Sequence, residues 1–420
     1  MISIKFEKLF GRFDYNVIFN LDGLTILTGP NGYGKSTILK AIEAMTDGFM
    51  GVMFFTELDF KRISATFKDG KKIDILKDNN VLSINGVKID GNYIRKQMLQ
   101  RPLLRPIDDN IIFNRRTGRT MEVNQYIKDY IETHKFELLE DKDFDFSEKT
   151  FLILEEMKKL VGKIYFIKEQ RLIRKTRVRY DEKDVINVIE ELPTHFKKLM
   201  QSVQEDYSNV ASRLDSSYPN RLFNMNEGIN KKEYEYKIEE MRVKFEKLNK
   251  YNLSNIQRLD NVIFKEEHAK ALKIYFDDFD KKYKAYENFI AELDLYTDII
   301  NHRLSFKEMR ISKKSGISIV DENGKKLKLT QLSSGEKQEI VLFYDLIFKT
   351  KEKVLLLIDE PEISLHITWQ KKFMDDLLRI IKYKKFNVIV ATHSPQIINN
   401  HWERQIDLGE LYAEQQFDKK

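Results

Sequence analysis

The feature that most constrains this chain is a glycine-rich loop set between a predicted strand and a predicted helix. The predicted buried strand Leu24–Thr28 leads directly into the segment 29–37, Gly-Pro-Asn-Gly-Tyr-Gly-Lys-Ser-Thr, and Ile38–Met45 then shows helical apolar spacing. A strand, a glycine loop and a helix in this order form the structural context of a phosphate-binding loop. The sequence therefore predicts a nucleoside triphosphate site.

Each residue type in this loop has a predicted task. Glycines let backbone N–H groups turn inward, since no Cβ blocks the triphosphate, and the helix that follows presents its positive end to the same charges. Lys35 is expected to reach the β- and γ-phosphates, and the Ser36 hydroxyl is expected to ligate Mg²⁺. The predicted nucleotide-binding residues of the loop are Asn31, Gly32, Gly34, Lys35, Ser36 and Thr37.

Two carboxylates follow a second apolar strand. The run Val354–Ile358 precedes Asp359 and Glu360. A buried carboxylate at the end of a strand is expensive unless it is paired or bound to metal. Asp359 is therefore predicted to hold the Mg²⁺ shell, and Glu360 to orient or deprotonate an attacking water.

Two further segments carry polar residues at the ends of predicted elements. The segment Leu332–Gln338 is expected to cap a helix over 339–349, and its Ser333 and Gly335 form a second anion site. His393 follows the last predicted buried strand, Asn387–Ala391. A histidine at the carboxyl end of the strand that follows the Asp-Glu strand in sequence is better explained as a contact to the γ-phosphate than as an ordinary polar residue.

Composition excludes several other classes. The chain of 420 residues has no cysteine, which rules out disulfide scaffolds, cysteine-ligated zinc and thiol catalysis. Its formal net charge of +6 is too small to indicate nucleic-acid binding without local clustering. No signal peptide or bilayer-spanning run is predicted, so the expected location is cytoplasmic, with no membrane partner.

The chain divides by pattern into three predicted domains. Residues 1–182 contain the glycine loop and a meander with turns at Asp69-Gly70 and Asn85-Gly86. Residues 183–306 show apolar residues at heptad spacing, as in Tyr234, Ile238, Met241, Phe245 and Leu248, and predict a helical insertion with turns at 219–220 and 249–255. The pattern leaves open a packed bundle or a protruding arm. Residues 307–420 return to alternating strands and helices.

Taken together, these motifs resemble the ABC-class ATPases, in the branch that contains the SMC, RecF and OLD-family proteins. The resemblance covers roughly 1–50, 160–180 and 325–400. It implies an α/β fold: an ABC-type P-loop core with a mixed or parallel sheet, an antiparallel meander and a coiled-coil-like insertion. It also implies ATP hydrolysis, with ATP and Mg²⁺ as cofactors.

The resemblance assigns further roles residue by residue. Gln170 matches the family's glutamine that touches Mg²⁺ and the attacking water. Glu360 matches the general base, and His393 matches the histidine that contacts the γ-phosphate, called the switch histidine. The catalytic set is then Glu360, His393, Gln170 and Lys35, and the metal set is Ser36, Gln170 and Asp359. The loop Ser364-Leu365-His366 matches the segment that passes between two sites.

The signature segment matches Ser333, Ser334, Gly335 and Glu336, which in this class complete the ATP site of the opposite subunit. It departs from the family at Ser334, where glycine is usual, and at Glu336, where transporters often have glutamine. A split site implies that ATP joins two copies, so at least a homodimer is expected.

Such an ATPase has three candidate uses. The segment 392–408 resembles ATPases of the bacterial anti-phage systems PARIS and Septu. Because 27 residues follow His393, a nuclease of the TOPRIM type is expected on a separate chain, and a phage protein is the expected trigger. The alternative is an SMC- or RecF-like clamp for DNA repair or chromosome maintenance. A transporter subunit is disfavoured by the helical insertion.

Direct binding of nucleic acid depends on two basic clusters. One cluster follows Gln170 and consists of Arg171, Arg174, Lys175, Arg177 and Arg179. The other lies between the meander and Gln170 and consists of Arg115, Arg116 and Arg119. They predict contacts to nucleic-acid phosphates, a surface for an acidic partner protein, or a solvated loop without a binding role.

Overall fold

The chain forms two compact units in the computed structural model. It describes residues 1–20, 23–78, 81–90, 99, 103–108, 111–115, 117–123, 126, 148–168, 173–175, 185–254, 263–350, 354–363 and 365–417. Unit 1 consists of residues 1–169 and 350–420, and unit 2 of residues 170–349. The three-domain division at 182 and 306 stays a prediction.

Unit 1 combines a parallel sheet with antiparallel sheets and helices. Its strands are β1 (Ser3–Leu9), β2 (Phe13–Ile18), β3 (Leu24–Thr28), β4 (Arg62–Thr66), β5 (Lys72–Asp78), β6 (Val81–Ile84), β7 (Val87–Asp90), β8 (Leu104–Pro106), β9 (Ile111–Asn114), β10 (Arg119–Glu122), β11 (Lys163–Ile167), β17 (Val354–Asp359), β18 (Asn387–Ala391) and β19 (Gln405–Asp407). Its helices are α1 (Lys35–Ala44), α2 (Phe49–Glu57), α3 (Glu148–Val161), α8 (Ile367–Lys384), α9 (Pro395–Ile398) and α10 (Leu408–Phe417).

The parallel sheet positions the site. Its order is β11-β17-β18-β3-β19, and every neighbouring pair is parallel. All five residues of β3 are buried, as are Leu356, Leu357 and Ile358 of β17. Such continuous burial is typical of strands covered on both faces. Because parallel strands end at one edge, the segments after β3, β17 and β18 come together there.

The predicted meander is confirmed. Strands β4 and β5 pair antiparallel on either side of Asp69-Gly70, and β6 and β7 pair around Asn85-Gly86. Asn85 and Gly86 both have positive φ, 46° and 86°, which is the conformation that a tight two-residue hairpin turn requires. The six-stranded antiparallel sheet has the order β2-β1-β4-β5-β6-β7.

Unit 2 contains the predicted long helices. Its helices are α4 (Val188–Phe223), α5 (Lys231–Lys250), α6 (Ala269–Asn301) and α7 (Ser334–Tyr344). Its strands are β12 (Ile173–Lys175), β13 (Val185–Asn187), β14 (Lys307–Ser312), β15 (Gly316–Asp321) and β16 (Lys326–Leu327). Helix α4 has 36 residues and is about 54 Å long at 1.5 Å per residue.

Side-chain pairs give the directions of the long helices. Helices α4 and α6 are antiparallel, since Arg221 pairs with Asp278 near the end of α4, whereas Phe196 near its start contacts Tyr296. Helix α5 runs parallel to α6, because the contact partner on α6 moves from Asp280 for Lys237 to Asp294 for Lys250. Four predicted seam residues of α5 are buried: Tyr234, Met241, Phe245 and Leu248.

Two predicted helix limits were wrong. Pro219 lies inside α4, which continues to Phe223. The Arg221 guanidinium donates to the Leu214 carbonyl at 2.8 Å and to Asp278, so side-chain bonds hold the turn around the proline. Helix α7 begins at Ser334 and not at Glu339, because the capping residues start it earlier.

Candidate functional site

The glycine loop has the backbone conformation that the sequence predicts. It connects β3 to α1, and Gly29, Gly32 and Gly34 have φ of 134°, 82° and 91°. These values favour glycine over every other residue. A Cβ at Gly34 would lie 3.1 Å from the Leu9 side chain, and one at Gly29 would lie 3.2 Å from Leu408. The loop therefore needs glycine both for its φ angles and for its close packing.

Lys35 lies across its own loop. Its Nζ donates to the carbonyls of Gly29 at 2.9 Å and Pro30 at 3.4 Å, and only 5% of the residue is exposed. Burial lowers the pKa of Lys35, although the nearby carboxylates of Glu360 and Asp359 oppose this shift. A buried cation inside a ring of backbone groups is a suitable counter-charge for a phosphate.

Ser36 and Asp359 meet at the carboxyl edge of the parallel sheet. The Ser36 hydroxyl at the start of α1 donates to Asp359 Oδ1 at the end of β17, over 2.9 Å. A hydroxyl and a carboxylate are the hard oxygen ligands that Mg²⁺ prefers, usually together with waters and substrate phosphates. In the described part of the chain, no group of three or more His, Cys, Asp or Glu side chains is arranged to hold an ion by itself. The hydroxyl and the carboxylate fit a Mg²⁺ ion whose other ligands are nucleotide phosphates and waters.

Glu360 and His393 lie next to this pair. His393 Nε2 is 3.2 Å from Glu360 Oε1, and His393 Nδ1 is 3.3 Å from Lys35 Nζ. Burial, and after it the charge of Lys35, lowers the pKa of His393 and so favours the neutral imidazole, although Glu362 and Asp359 oppose this shift. An ammonium only donates, so Nδ1 accepts from Lys35, and the proton on Nε2 points to the Glu360 carboxylate.

The Glu360 backbone adopts the left-handed conformation, with φ of 48°. Its N–H donates to the Ala391 carbonyl at 2.9 Å, which extends the pairing of β17 and β18 by one residue. Non-glycine residues in this region cost free energy and are concentrated at functional sites. The strained conformation aims the side chain of Glu360 toward His393.

Sequence reasoning missed Glu362. Its Oε1 accepts from the Thr392 hydroxyl at 2.7 Å, the His393 N–H at 2.7 Å and the Ser394 N–H at 3.1 Å. The carboxylate thereby joins the loop after β17 to the loop after β18. A second glutamate two residues after the first was the available signal, but nothing in the sequence indicates its partner.

Asp407 was also missed. Its Oδ2 accepts from the Thr28 hydroxyl at 2.7 Å, and its Oδ1 accepts from the N–H groups of Gly409 and Glu410. Asp407 therefore caps helix α10 and fixes it beside the strand that leads into the glycine loop. The spacing of Asp407 and Glu410 is a helix-start pattern that could have revealed this.

In unit 2, the signature segment forms the start of α7. The Ser333 hydroxyl accepts from Glu336 N–H at 3.3 Å, and Glu336 Oε2 accepts from Ser333 N–H at 2.9 Å, which is a capping box. Burial disfavours the charge on Glu336, but hydrogen bonds from Lys307 and Ser333 outweigh it and lower the pKa of Glu336. Ser333 and Ser334 are exposed, Gly335 is half-buried and Glu336 is buried.

The remaining predicted residues divide into two groups. Gln170, Ser364, Arg116 and most of the cluster 171–179 lie outside the described residues. Asn31 and Gly32 are exposed at the glycine loop, and Thr37 is half-buried in α1. His366 caps helix α8, where its side chain accepts from the Thr368 N–H.

The sheet, its glycine loop and the carboxylates at its edge define a P-loop nucleotide-binding protein. The sequence matches the family described as AAA ATPase domain over residues 8–398. The chain belongs to this family, and it is an ATPase that binds nucleotide. No curated protein matches the chain in a sequence comparison. Among the described residues, no helix has both the length and the apolar character needed to cross a bilayer.

Solved structures of SMC heads are similar to the chain at low identity. The SmcHead bound to the C-winged helix domain of ScpA is 12% identical, with 97% of this chain and 93% of that chain covered and a TM-score of 0.40. The Smc head domain with an extended coiled coil, bound to the C-terminal domain of ScpA and derived from Pyrococcus furiosus, is 13% identical. The match covers 100% of this chain and 99% of that chain, with a TM-score of 0.34. The SMC head domain from Thermotoga maritima is 14% identical, and the match covers 94% of this chain and 90% of that chain, with a TM-score of 0.32.

Proposed function

We propose that this ATPase is an ATP-gated dimeric clamp in which each nucleotide lies between two copies of the chain. The observation that carries its hydrolytic part is the line of contacts from Lys35 through His393 to Glu360, next to the Ser36–Asp359 pair. One cation, one neutral imidazole and two carboxylates at the end of a phosphate-binding loop are suited to binding a triphosphate and directing a water to it.

The proposed roles follow from these positions. Lys35 and the loop N–H groups bind the β- and γ-phosphates, and Ser36 and Asp359 hold Mg²⁺ when the nucleotide brings it. Glu360 accepts a proton from the attacking water, and His393 holds that carboxylate and contacts the γ-phosphate. Bound Mg²⁺ would supply charge neutralisation at the β- and γ-phosphates. Gln170 lies outside the described residues, and its proposed role is to contact Mg²⁺ and the attacking water.

The second copy completes this site in the proposal. Ser333 and Ser334 are exposed at the start of α7, where helix N–H groups and the helix dipole favour an anion. We assign them, with Gly335 and Glu336, to the nucleotide of the partner. ATP then stabilises the dimer by binding only the closed form, and hydrolysis releases it.

For the biological role, we propose an ATP-dependent sensor and scaffold in bacterial anti-phage defence, acting in the cytoplasm. It would control a separate nuclease or TOPRIM-like effector chain and respond to a phage protein. The support is the resemblance of residues 392–408 to PARIS and Septu ATPases. The second candidate is an SMC- or RecF-like DNA clamp, which the basic residues Arg115 and Arg119, both exposed, favour.

A DNA filter-binding assay at 50 mM and 200 mM salt, with and without ATP, separates the two roles. A clamp that neutralises six or more phosphates loses roughly a thousandfold in affinity between these salt concentrations. The defence role with a protein partner predicts no salt-sensitive DNA affinity of this size. The charge-reversal variant R115E/R119E serves as the matched control, since it must abolish any affinity that belongs to this cluster.

A further inference from the structure

The Glu362 carboxylate lies at the centre of a group of donors from one short segment. Three consecutive residues, Thr392, His393 and Ser394, each give one hydrogen bond to the same oxygen, Oε1, at 2.7 to 3.1 Å. Two of the donors are backbone N–H groups. Consecutive N–H groups that converge on one oxygen form an anion-binding concavity, and bonds to an ionised acceptor are about twice as strong as neutral ones.

This side chain holds residues 393 and 394, which lie beyond the last sheet hydrogen bond, from Thr392 N–H to the Leu27 carbonyl at 3.1 Å. The pairing of β17 with β18 ends at Asp359 and Ala391, and one further bond joins Glu360 N–H to the Ala391 carbonyl. Beyond that point, the N–H groups of His393 and Ser394 donate to Glu362. The position of the His393 backbone therefore depends on a side chain.

A second contact closes the arrangement. The Ser394 hydroxyl donates to Gln370 Oε1 at 2.7 Å, and Gln370 Nε2 donates to the Leu365 carbonyl at 3.0 Å. Gln370 lies in the first turn of α8, so the helix that follows the carboxylate loop also fixes the segment 392–394. Glu362 Oε2 is buried and has no hydrogen-bond partner among the residues that the structure describes, so the bonds to Oε1 stabilise this carboxylate.

We propose that Glu362 is a positioning residue for ATP hydrolysis, which holds segment 392–394 so that the His393 imidazole stays between Lys35 and Glu360. The inference rests on the hydrolytic roles proposed for His393 and Glu360. Glu362 itself touches neither Lys35 nor Glu360 through a described hydrogen bond, and it acts through the backbone of its neighbour. In this proposal Glu362 binds the segment 392–394 and does not contact the nucleotide.

The test compares Glu362→Ala and Glu362→Gln in the full chain. We expect Glu362→Ala to lower kcat for ATP about 10- to 100-fold, since small displacements of a catalytic group have effects of this size. The KM and the affinity for a fluorescent ATP analogue should stay within about twofold, because the phosphate-binding loop is unchanged. Glu362→Gln keeps an acceptor oxygen and should recover part of the rate. Glu322→Ala, in an exposed turn, is the matched control.

A double-mutant cycle with His393→Gln tests whether Glu362 acts through His393. The proposal predicts that adding Glu362→Ala to His393→Gln lowers kcat no further, whereas independent, multiplicative losses would overturn it. Unchanged kcat in Glu362→Ala would also overturn it.

Hydrogen exchange gives a second readout that does not depend on turnover. The amides of His393 and Ser394, which donate to Glu362, should exchange faster in Glu362→Ala than in the wild type, while those of β18 and Thr392 stay protected. Equal exchange would refute the inference alone. Wild-type turnover in His393→Gln would instead refute the proposed role of His393, so the two failures are distinguishable.

Discussion

Replacing Glu360 by glutamine is expected to lower the rate of ATP hydrolysis by about 100-fold or more, because a general base contributes 10²- to 10⁴-fold. Glutamine has nearly the same shape and still accepts from His393 Nε2, but it takes no proton from water. Binding of ATP should change little, since Lys35 and the glycine loop remain. Phosphate release and the fluorescence of a bound ATP analogue measure the two effects.

The control for this substitution is Glu322→Gln, which removes an exposed carboxylate from a turn in unit 2. It should hydrolyse ATP at the wild-type rate. Turnover by Glu360→Gln within twofold of the wild type would mean that another group activates the water, and the proposed site would be wrong. Loss of ATP binding in Glu360→Gln would mean that its main role is in holding the loop.

Replacing Arg303 by methionine is expected to lower the free energy of unfolding of unit 2 by about 3–5 kcal/mol. Arg303 and Glu339 form an ion pair of 3.1 Å whose side chains are only 2% and 3% exposed. Arg303 also lies over the Phe343 ring, at 4.5 Å from its centroid. The substitution leaves the Glu339 carboxylate buried without this cation, and such a charge is costly. Urea denaturation followed by circular dichroism measures the loss.

Two further variants separate this cause from lost packing. The double variant R303M/E339L removes both charges and should regain most of the stability, because apolar side chains of similar volume replace a buried pair well. The exposed pair Arg310–Glu308, with 59% and 53% of the side chains exposed, gives the control R310M, which should change stability by less than about 1 kcal/mol. A loss in R303M no larger than in R310M would contradict the argument.

Much of the fold was predictable because its signals are local. The strands 24–28, 354–358 and 387–391 are apolar apart from Thr25, Thr28 and Asn387, and the hairpin turns have the residues that positive φ demands. The heptad spacing in α5 and α6 reports which helix face is buried, but it does not tell which helices pair or in which direction. Those directions became clear only from contacts such as Arg221–Asp278.

The candidate site was predictable where one residue type implies one chemistry. Lys35, Ser36, Asp359 and Glu360 lie together, as motif spacing suggests, because strand ends share one edge of the sheet. The supporting residues were not predictable. Glu362 bonds to residues 30 positions away, and Asp407 to a strand 379 positions away. A single carboxylate gives no sign of such distant partners, so its role depends on the folded chain.

The most direct measurement of the central claim mixes two variants, Lys35→Ala and Ser333→Arg, at equal concentration. Each variant alone should hydrolyse ATP poorly, the first because it does not hold the phosphates and the second because its arginine blocks the opposite copy. A mixed dimer that forms at random contains one intact shared site, so the mixture should recover about a quarter of the wild-type rate. Two results together would contradict a site shared between copies. The first is a rate in the mixture equal to the mean of the two separate variants. The second is wild-type protein that hydrolyses ATP while light scattering gives the mass of a monomer.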